Sequence, residues 1–220
     1  MISKQRLVVL VATLAAMSLS PAQPRAADSD GGTPQPQSVS RSGIPYLSDA
    51  EVGPPELVDA IRSRRPGGKL MNLDRMLLHS PEYARGWNSM LGAIRSKLSV
   101  SPKLRELAIM AIAVINDAEY EWVAHEPEFL NAGGTGEQLT ALKNISAALK
   151  DTKQFDEKER ATLALTDEMT RNIKVSKATM ERVRGFLPDA QVVELAGTIA
   201  GYNMVSRFLS ATGIEVERSM

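Results

Sequence analysis

Two side chains near the middle of the chain have the types and spacing needed for proton transfer. Glu121 and His125 stand four residues apart in the segment 118–127, AEYEWVAHEP, which has a helical pattern. This spacing places two side chains on one face of a helix, close enough to form a hydrogen bond. A carboxylate in contact with an imidazole fixes which ring nitrogen carries the proton. The pair can therefore serve as a general acid and a general base.

A third candidate, Glu106, lies on the preceding predicted helix, in the segment 104–109, LRELAI. Its neighbours are mostly apolar, so we expect its carboxyl group to be partly buried. Burial disfavours the charged form of a carboxyl group, which predicts a raised pKa for Glu106. Such a group is a candidate for a further acid or base at the same site.

The same residues also have a structural interpretation. A glutamate and a histidine four residues apart on a helix most often form a surface pair that contributes roughly a few tenths of a kcal/mol. Glu106 follows Arg105 and can equally be one half of a paired helix charge. Spacing alone therefore leaves a catalytic and a structural interpretation open.

Composition excludes several other kinds of site. The 220 residues contain no cysteine, so the chain has no disulfide, no thiolate nucleophile and no thiolate metal ligand. The two histidines, His79 and His125, are too far apart in sequence to form a metal-binding motif, and no nucleotide-binding glycine loop or serine-hydrolase motif occurs. Lys plus Arg and Asp plus Glu number 26 each, without a basic cluster. We therefore expect no metal, no bound nucleotide and no nucleic-acid partner.

The first 27 residues have the layout of a secretory signal peptide. Lys4 and Arg6 precede an apolar run, 7–17, that is too short to span a bilayer, and small residues follow it. Ala22 and Ala27 are the two candidate cleavage positions, and an uncleaved membrane anchor is the alternative. We expect an exported protein, periplasmic or secreted, with no stable membrane insertion after cleavage. Residues 28–53, rich in Gly, Pro and Ser, are predicted to form a flexible leader.

From residue 54 to residue 220 the pattern is helical and predicts one all-α domain. The predicted helices are 57–64, 70–78, 81–98, 103–115, 118–131, one that begins near 135, 157–172, 177–186 and 189–211. Ser80 and Ser101, each followed by a proline, are predicted N-caps. The last helix is apolar on more than one face, which predicts burial in the domain centre or at a subunit interface, and hence a homo-oligomer.

The segment 98–132, LSVSPKLRELAIMAIAVINDAEYEWVAHEPEFLNA, carries a recognisable motif. It resembles the core of the carboxymuconolactone decarboxylase and alkyl-hydroperoxidase (AhpD) family, and the segments on either side resemble the family's flanking helices. In the peroxidase branch the motif is a glutamate, eleven residues, then Cys-x-x-Cys-x-x-x-His. On this sequence the glutamate falls on Glu106, the cysteines fall on Ala118 and Glu121, and the histidine falls on His125. The resemblance implies an AhpD-like helical bundle that assembles into trimers or hexamers.

The missing cysteines decide which chemistry the resemblance implies. Peroxide reduction needs a thiolate nucleophile and a resolving thiol, and neither alanine nor glutamate supplies one. The remaining glutamates and histidine resemble the decarboxylase branch, whose members decarboxylate or tautomerise small lactones and keto acids without a cofactor. We therefore expect a cofactor-independent acid–base enzyme that acts on a small organic acid, lactone or enolisable carbonyl compound. The alternative is a non-catalytic binding or structural oligomer.

Each candidate residue has an expected role in such an enzyme. His125 transfers a proton at a substrate carbon, Glu121 orients His125, and Glu106 is a second acid or base. Trp122 and Tyr202 are expected to form the wall of the substrate pocket. These roles require that the three ionisable side chains face one closed pocket, whereas a pair that faces solvent favours the structural interpretation.

Overall fold

Ten α-helices make up most of residues 38–217, the part of the chain that the structure, a computed structural model, describes. They are α1 (Pro55–Arg62), α2 (Asn72–Leu77), α3 (Pro81–Ser96), α4 (Pro102–Ile115), α5 (Glu119–Asn131), α6 (Gly136–Leu142), α7 (Ile145–Ala148), α8 (Glu157–Asn172), α9 (Lys177–Arg184) and α10 (Asp189–Thr212). A short 3-10 turn, Pro66–Gly68, separates α1 from α2. No β-strand occurs in the described range, where the one extended pairing is an isolated bridge between Val39 and Pro45. The predicted all-α fold class is therefore confirmed.

Local signals set the helix boundaries. The side chain of Asp156 accepts the backbone N–H of Glu159, whose carboxylate accepts the N–H of Asp156, so α8 begins with a complete capping box. Ser80 and Ser101 occupy the N-cap positions predicted for α3 and α4, but neither side chain makes a capping hydrogen bond. The proline that follows each serine starts the helix instead, because its fixed φ suits the first helical position.

Helix α4 is the centre of the domain. It packs against α5, α8 and α10, and the side chains of residues 107–112 are all fully buried. Ile109 and Ile112 contribute to the larger hydrophobic cluster, which includes residues of α2, α3 and α10, whereas Met110 contributes to a smaller cluster with α6, α7 and α8. A helix covered on all sides must be apolar on all sides. Glu106 is the exception, since it is the one charged side chain of α4 that is buried.

The last helix, α10, packs its inner side against the core and leaves another side open. Leu195, Ile199 and Tyr202 are buried, whereas the side chain of Val193 is 71% exposed. Within a single chain α10 is therefore not buried on every side. The homo-oligomer expected from the apolar character of this helix stays a prediction.

The extended segment before α1 packs onto the helical body. Tyr46 is buried in the larger hydrophobic cluster, and its hydroxyl group accepts the backbone N–H of Glu215. The backbone N–H of Arg41 donates to the carbonyl oxygen of Gly213, just beyond α10. These contacts hold residues 38–53, so the ordered domain extends upstream of residue 54, the boundary predicted from composition.

The predicted signal peptide, residues 1–27, lies outside the described residues, as does the first part of the predicted leader, 28–37. Within 38–217, no helix combines the length and the apolar character needed to cross a bilayer. Export and the site of cleavage stay predictions.

Gly134, just after α5, tests how tightly the smaller cluster packs. A Cβ atom at this position would lie 2.2 Å from Cε1 of Phe129, whose side chain is fully buried. We expect Gly134→Ala to lower the free energy of unfolding by roughly 2 kcal/mol, because a ring in close-packed surroundings would have to move. Gly136→Ala is the matched control, since a Cβ atom there meets nothing within 4 Å. Urea denaturation measures both variants, and equal stabilities would contradict the packing described.

Candidate active site

The α4–α5 hairpin brings Glu106 and His125 together. After α4 the chain turns at Asp117, where φ is 51°, and the N–H of Ala118 donates to the carbonyl oxygen of Ala113. This tight turn lays α5 against α4, so that Oε2 of Glu106 lies 2.7 Å from Nδ1 of His125. The two side chains are 2% and 5% exposed. Their hydrogen bond is therefore shielded from water.

The carboxyl group of Glu106 is ionised in this arrangement. Burial acts to raise its pKa, but hydrogen bonds from His125 and Arg105, together with the positive charge of Arg105, outweigh burial and hold the pKa below its usual value. Arg105 acts through its Nε atom, which donates to Oε1 of Glu106 over 3.0 Å. The raised pKa predicted for Glu106 is therefore wrong, because two hydrogen-bond donors, His125 and the cationic Arg105, oppose the effect of burial.

An ionised Glu106 determines which nitrogen of His125 carries the proton. A carboxylate can only accept hydrogen bonds, so Nδ1 must be the donor. In a neutral imidazole the other nitrogen, Nε2, is then the acceptor. No residue of the described chain forms a hydrogen bond with Nε2. This nitrogen is therefore available to a ligand.

Glu121 has the opposite environment. Its side chain is 2% exposed, and neither carboxyl oxygen has a hydrogen-bond partner among the described residues. Burial raises the pKa of Glu121 to about 9, so the group is a neutral carboxylic acid at neutral pH. The expected role of orienting His125 is wrong for Glu121, because Glu106 holds Nδ1 instead. Glu121 is a candidate proton donor.

His125 and Glu121 line one cavity of about 210 Å³, between the loop after α1 and helices α3, α5 and α10. Much of the remaining wall is apolar or aromatic and includes Leu73, Trp87, Leu91, Tyr120, Tyr202 and Leu209. A dry cavity of roughly 150 Å³ is enough for benzene, so this one has the size of a single substituted ring. Residues 38–217 contain no cluster of three or more His, Asp or Glu side chains that could hold a metal ion.

Of the two residues expected to form the pocket wall, only Tyr202 lines this cavity. Its ring meets the ring of His125 edge-on, with 5.0 Å between the ring centres. Trp122 lies elsewhere, because its indole N–H donates to Glu126 and the Nζ atom of Lys143 sits 3.1 Å from the centre of its ring. These contacts hold Trp122 against the smaller cluster and away from the cavity.

Three arginines and a tryptophan are among the lining residues for which the sequence predicted no role. Arg64 and Arg65 follow α1, and Trp87 and Arg95 lie on α3. The sequence did carry a signal for the two residues on α3. Trp87, Leu91 and Arg95 are spaced four residues apart, so they must share one face of the helix. The two arginines after α1 had no such signal, because only the tertiary fold brings them to α3.

Sequence comparison assigns the centre of the chain to a known family. The model of the carboxymuconolactone decarboxylase family matches residues 81–168, from the first residue of α3 into α8. The match covers less than half of the 220 residues. The matched part contains Glu106, Glu121 and His125, and the resemblance predicted from the motif is confirmed. No curated protein matches the chain significantly in sequence.

Solved structures of low sequence identity share the fold. An uncharacterized peroxidase-related protein from Silicibacter sp. TM1040 has a TM-score of 0.68 at 20% identity, covering 84% of this chain and 96% of its own. An uncharacterized peroxidase-related protein with an AhpD core, from Ralstonia eutropha JMP134, has a TM-score of 0.65 at 18% identity, covering 82% and 93%. A cysteine-to-alanine variant of the debrominase Bmp8, in complex with 2,3,4-tribromopyrrole, has a TM-score of 0.64 at 15% identity, covering 78% and 90%. The likeness confirms the AhpD-like helical fold.

The pKa of Glu121 predicts how stability depends on pH. A carboxyl group with a pKa of about 9 in the folded protein and an ordinary value of 4.5 binds more protons when folded across that interval. Its contribution to stability therefore falls as the pH rises from 4.5 towards 9. Glutamine keeps the shape of Glu121 and does not titrate. Relative to wild type, we expect the free energy of unfolding of Glu121→Gln to increase by roughly 1 kcal/mol per pH unit between about pH 6 and pH 8.

Urea denaturation of both proteins across this pH range measures the difference. Glu119→Gln is the matched control, because Glu119 is an exposed glutamate two residues earlier on the same helix. Its stability should run parallel to that of wild type. A difference between Glu121→Gln and wild type that stays constant with pH would show that Glu121 is ionised in the folded protein.

Proposed function

We propose that the protein is a cofactor-independent acid–base enzyme that moves a proton at a carbon atom of a small organic compound. One observation carries the proposal: a single cavity is lined by an imidazole whose tautomer Glu106 fixes and by a neutral carboxyl group, Glu121, that has no partner in the described chain. A base and a neutral acid in one cavity are what general acid–base catalysis requires. The family assignment of residues 81–168 supports this chemistry.

His125 is the base and Glu121 the acid in the proposed reaction. Nε2 of His125 takes a proton from a carbon next to a carbonyl group, and the electron pair of the broken C–H bond moves into the carbonyl group to form an enolate. Glu121 donates its proton to the enolate, at the oxygen or at a conjugated carbon, and so forms the tautomer. His125 is then protonated and Glu121 is ionised. Passage of one proton from His125 to Glu121 restores the starting state.

The same groups serve the decarboxylation of a small lactone or keto acid. The bond between the substrate carbon and its carboxylate breaks, CO2 leaves, and the electron pair remains on the substrate as an enolate. Glu121 protonates that carbon and recovers its own proton from solvent. In both reactions Glu106 touches no substrate. Glu106 is a positioning residue for His125, and the proposal gives Glu121 the acid role that was expected of Glu106.

Proton transfer at carbon can be measured before the substrate is known. In D2O such an enzyme places deuterium on the reacting carbon, which proton NMR detects as the loss of a C–H signal. We expect this exchange with at least one member of a panel of carboxylated lactones, 2-keto acids and enolisable ketones. His125→Asn should slow the exchange by about 100-fold or more, because it removes the base. Glu121→Gln should slow it as well, since an amide does not supply an acidic proton.

His79→Asn is the matched control for this assay. His79 is the other histidine of the chain, and it is exposed, with its Nε2 atom 2.7 Å from the carbonyl oxygen of Pro45. Its variant should exchange the substrate at the wild-type rate. If wild type exchanged no member of the panel faster than His125→Asn, the proposal would be wrong. A non-catalytic binding or structural role, the alternative weighed from the sequence, would then be favoured.

Peroxide reduction does not suit this site, although two proteins of the same fold are described as peroxidase-related. The chain contains no cysteine, and Ala118 and Glu121 stand where the peroxidase motif has its two cysteines. We expect the protein to consume cumene hydroperoxide, with dithiothreitol as reductant, no faster than the His125→Asn variant does. Turnover that disappears with His125 would contradict this expectation.

A further inference from the structure

Three arginines line the cavity, and only one of them is neutralised by a close carboxylate. Arg65 donates to both carboxylate oxygens of Asp74, over 2.9 and 2.6 Å. Arg64 donates through Nε and Nη2 to Oδ1 of Asn88, which is a neutral amide oxygen. Arg95 lies 3.8 Å from the carboxylate of Glu128, and both groups are partly open to solvent. Arg64 and Arg95 therefore have no counterion at hydrogen-bonding distance within residues 38–217.

The positive charge of the three arginines is also concentrated in one cavity. Burial lowers the pKa of Arg64, and the neighbouring charges of Arg65 and Arg95 lower it further. Arg64, Arg65 and Arg95 line the same cavity, so their like charges repel one another in partly buried surroundings that screen them less than bulk water does. An anion bound between Arg64 and Arg95 would remove this repulsion, and guanidinium groups match a carboxylate better than any other side chain does.

The cavity connects this cationic end with the proton-transfer end. Tyr202 lines the same cavity as the arginines, and its ring meets the ring of His125 edge-on. The wall beside it is formed by Trp87 and other apolar side chains. A flat, apolar ring suits this middle section, since about 210 Å³ accommodates one substituted ring.

We propose that Arg64 and Arg95 form a carboxylate-binding subsite that anchors a single-ring organic acid with its ring against Trp87 and Tyr202. Binding of the carboxylate by the two arginines does not depend on the proposed catalytic activity. Its catalytic meaning, that the anchor turns the reacting carbon towards His125 and Glu121, rests on the proposed function.

The subsite also limits which carboxylate of a substrate can be lost as CO2. A carboxylate that leaves as CO2 gives up its negative charge in the transition state, so an ion pair with it would stabilise the substrate more than the transition state. The carboxylate held by Arg64 and Arg95 is therefore retained in the product. A substrate that is decarboxylated must carry a second carboxylate near His125, whereas a tautomerised substrate needs only the anchoring one.

Benzoate and benzamide are suitable probes for the subsite, because they have the same ring and nearly the same size but differ in charge. We expect calorimetric titration of the full-length protein to show that benzoate binds about tenfold more tightly than benzamide. Arg95→Gln and Arg64→Gln should each reduce this preference, and the double variant should abolish it. Arg95→Lys keeps the charge and should keep part of the preference.

Arg85→Gln is the matched control, since Arg85 lies on the same helix as Arg95, is also only loosely paired with glutamates, and does not line the cavity. Its variant should keep the full preference for benzoate. Equal binding of the two probes by wild type, a preference that survives in the Arg64/Arg95 double variant, or no saturable benzoate binding up to about 10 mM would each overturn the subsite.

Failure of the subsite and failure of the proposed function are distinguishable. The preference for benzoate tests the arginines, whereas deuterium exchange tests His125. If the preference depends on Arg95 but no substrate exchanges deuterium, the cavity binds acids without proton transfer. If exchange depends on His125 while the probes bind equally, the proton-transfer site stands and the anchor is wrong.

Discussion

The hydrogen bond between Glu106 and His125 is the interaction on which the rest of the site depends. It crosses from α4, the most deeply buried helix, to α5, and it is shielded from water on both sides. Because Arg105 holds the second oxygen of Glu106, the carboxylate stays charged at a depth where an unpaired charge would be too costly. The orientation of the imidazole, the choice of its donor nitrogen and the availability of Nε2 all follow from this one contact.

Glu121 is also a buried glutamate, but unlike Glu106 it has no hydrogen-bond partner in the described chain. The buried side-chain atoms without a partner in the described chain are its two carboxyl oxygens and Nε of Arg62. An unpartnered buried polar group costs about 1 to 3 kcal/mol, and apolar packing around α4 can compensate that cost but does not remove it. A local departure from full hydrogen bonding, placed in a cavity, is typical of a functional position rather than of a structural one.

Much of the fold could be predicted from the sequence because its signals are local. Pro81, Pro102, Asp156 and Gly213 mark helix ends by properties of their own backbones or side chains, and the predicted helices ended within a few residues of these positions. The roles of the site residues were harder to predict, because Glu106 and Glu121 both stand at positions from which a carboxylate could reach His125. Spacing along α5 favours Glu121, whereas the α4–α5 turn gives the contact to Glu106.

The residues that line the cavity were harder to predict from the sequence than the proton-transfer groups were. Trp87 on α3 and Trp122 on α5 are both helical tryptophans, and only the tertiary fold decides which of them meets the cavity. Arg64 likewise reaches the site through a turn after α1 that has no pattern of its own. Residues that converge from separate elements carry no shared spacing, so a single sequence does not group them.

The neutral state of Glu121 has a consequence for the electrical balance of the proposed tautomerisation. When His125 gains a proton as Glu121 loses one, a cation and an anion appear together in the same cavity, and the total charge of the protein does not change. Two opposite charges created side by side attract each other, which offsets much of the desolvation that either would suffer alone. The proposed tautomerisation therefore needs no dissolved ion as a counter-charge within the cavity.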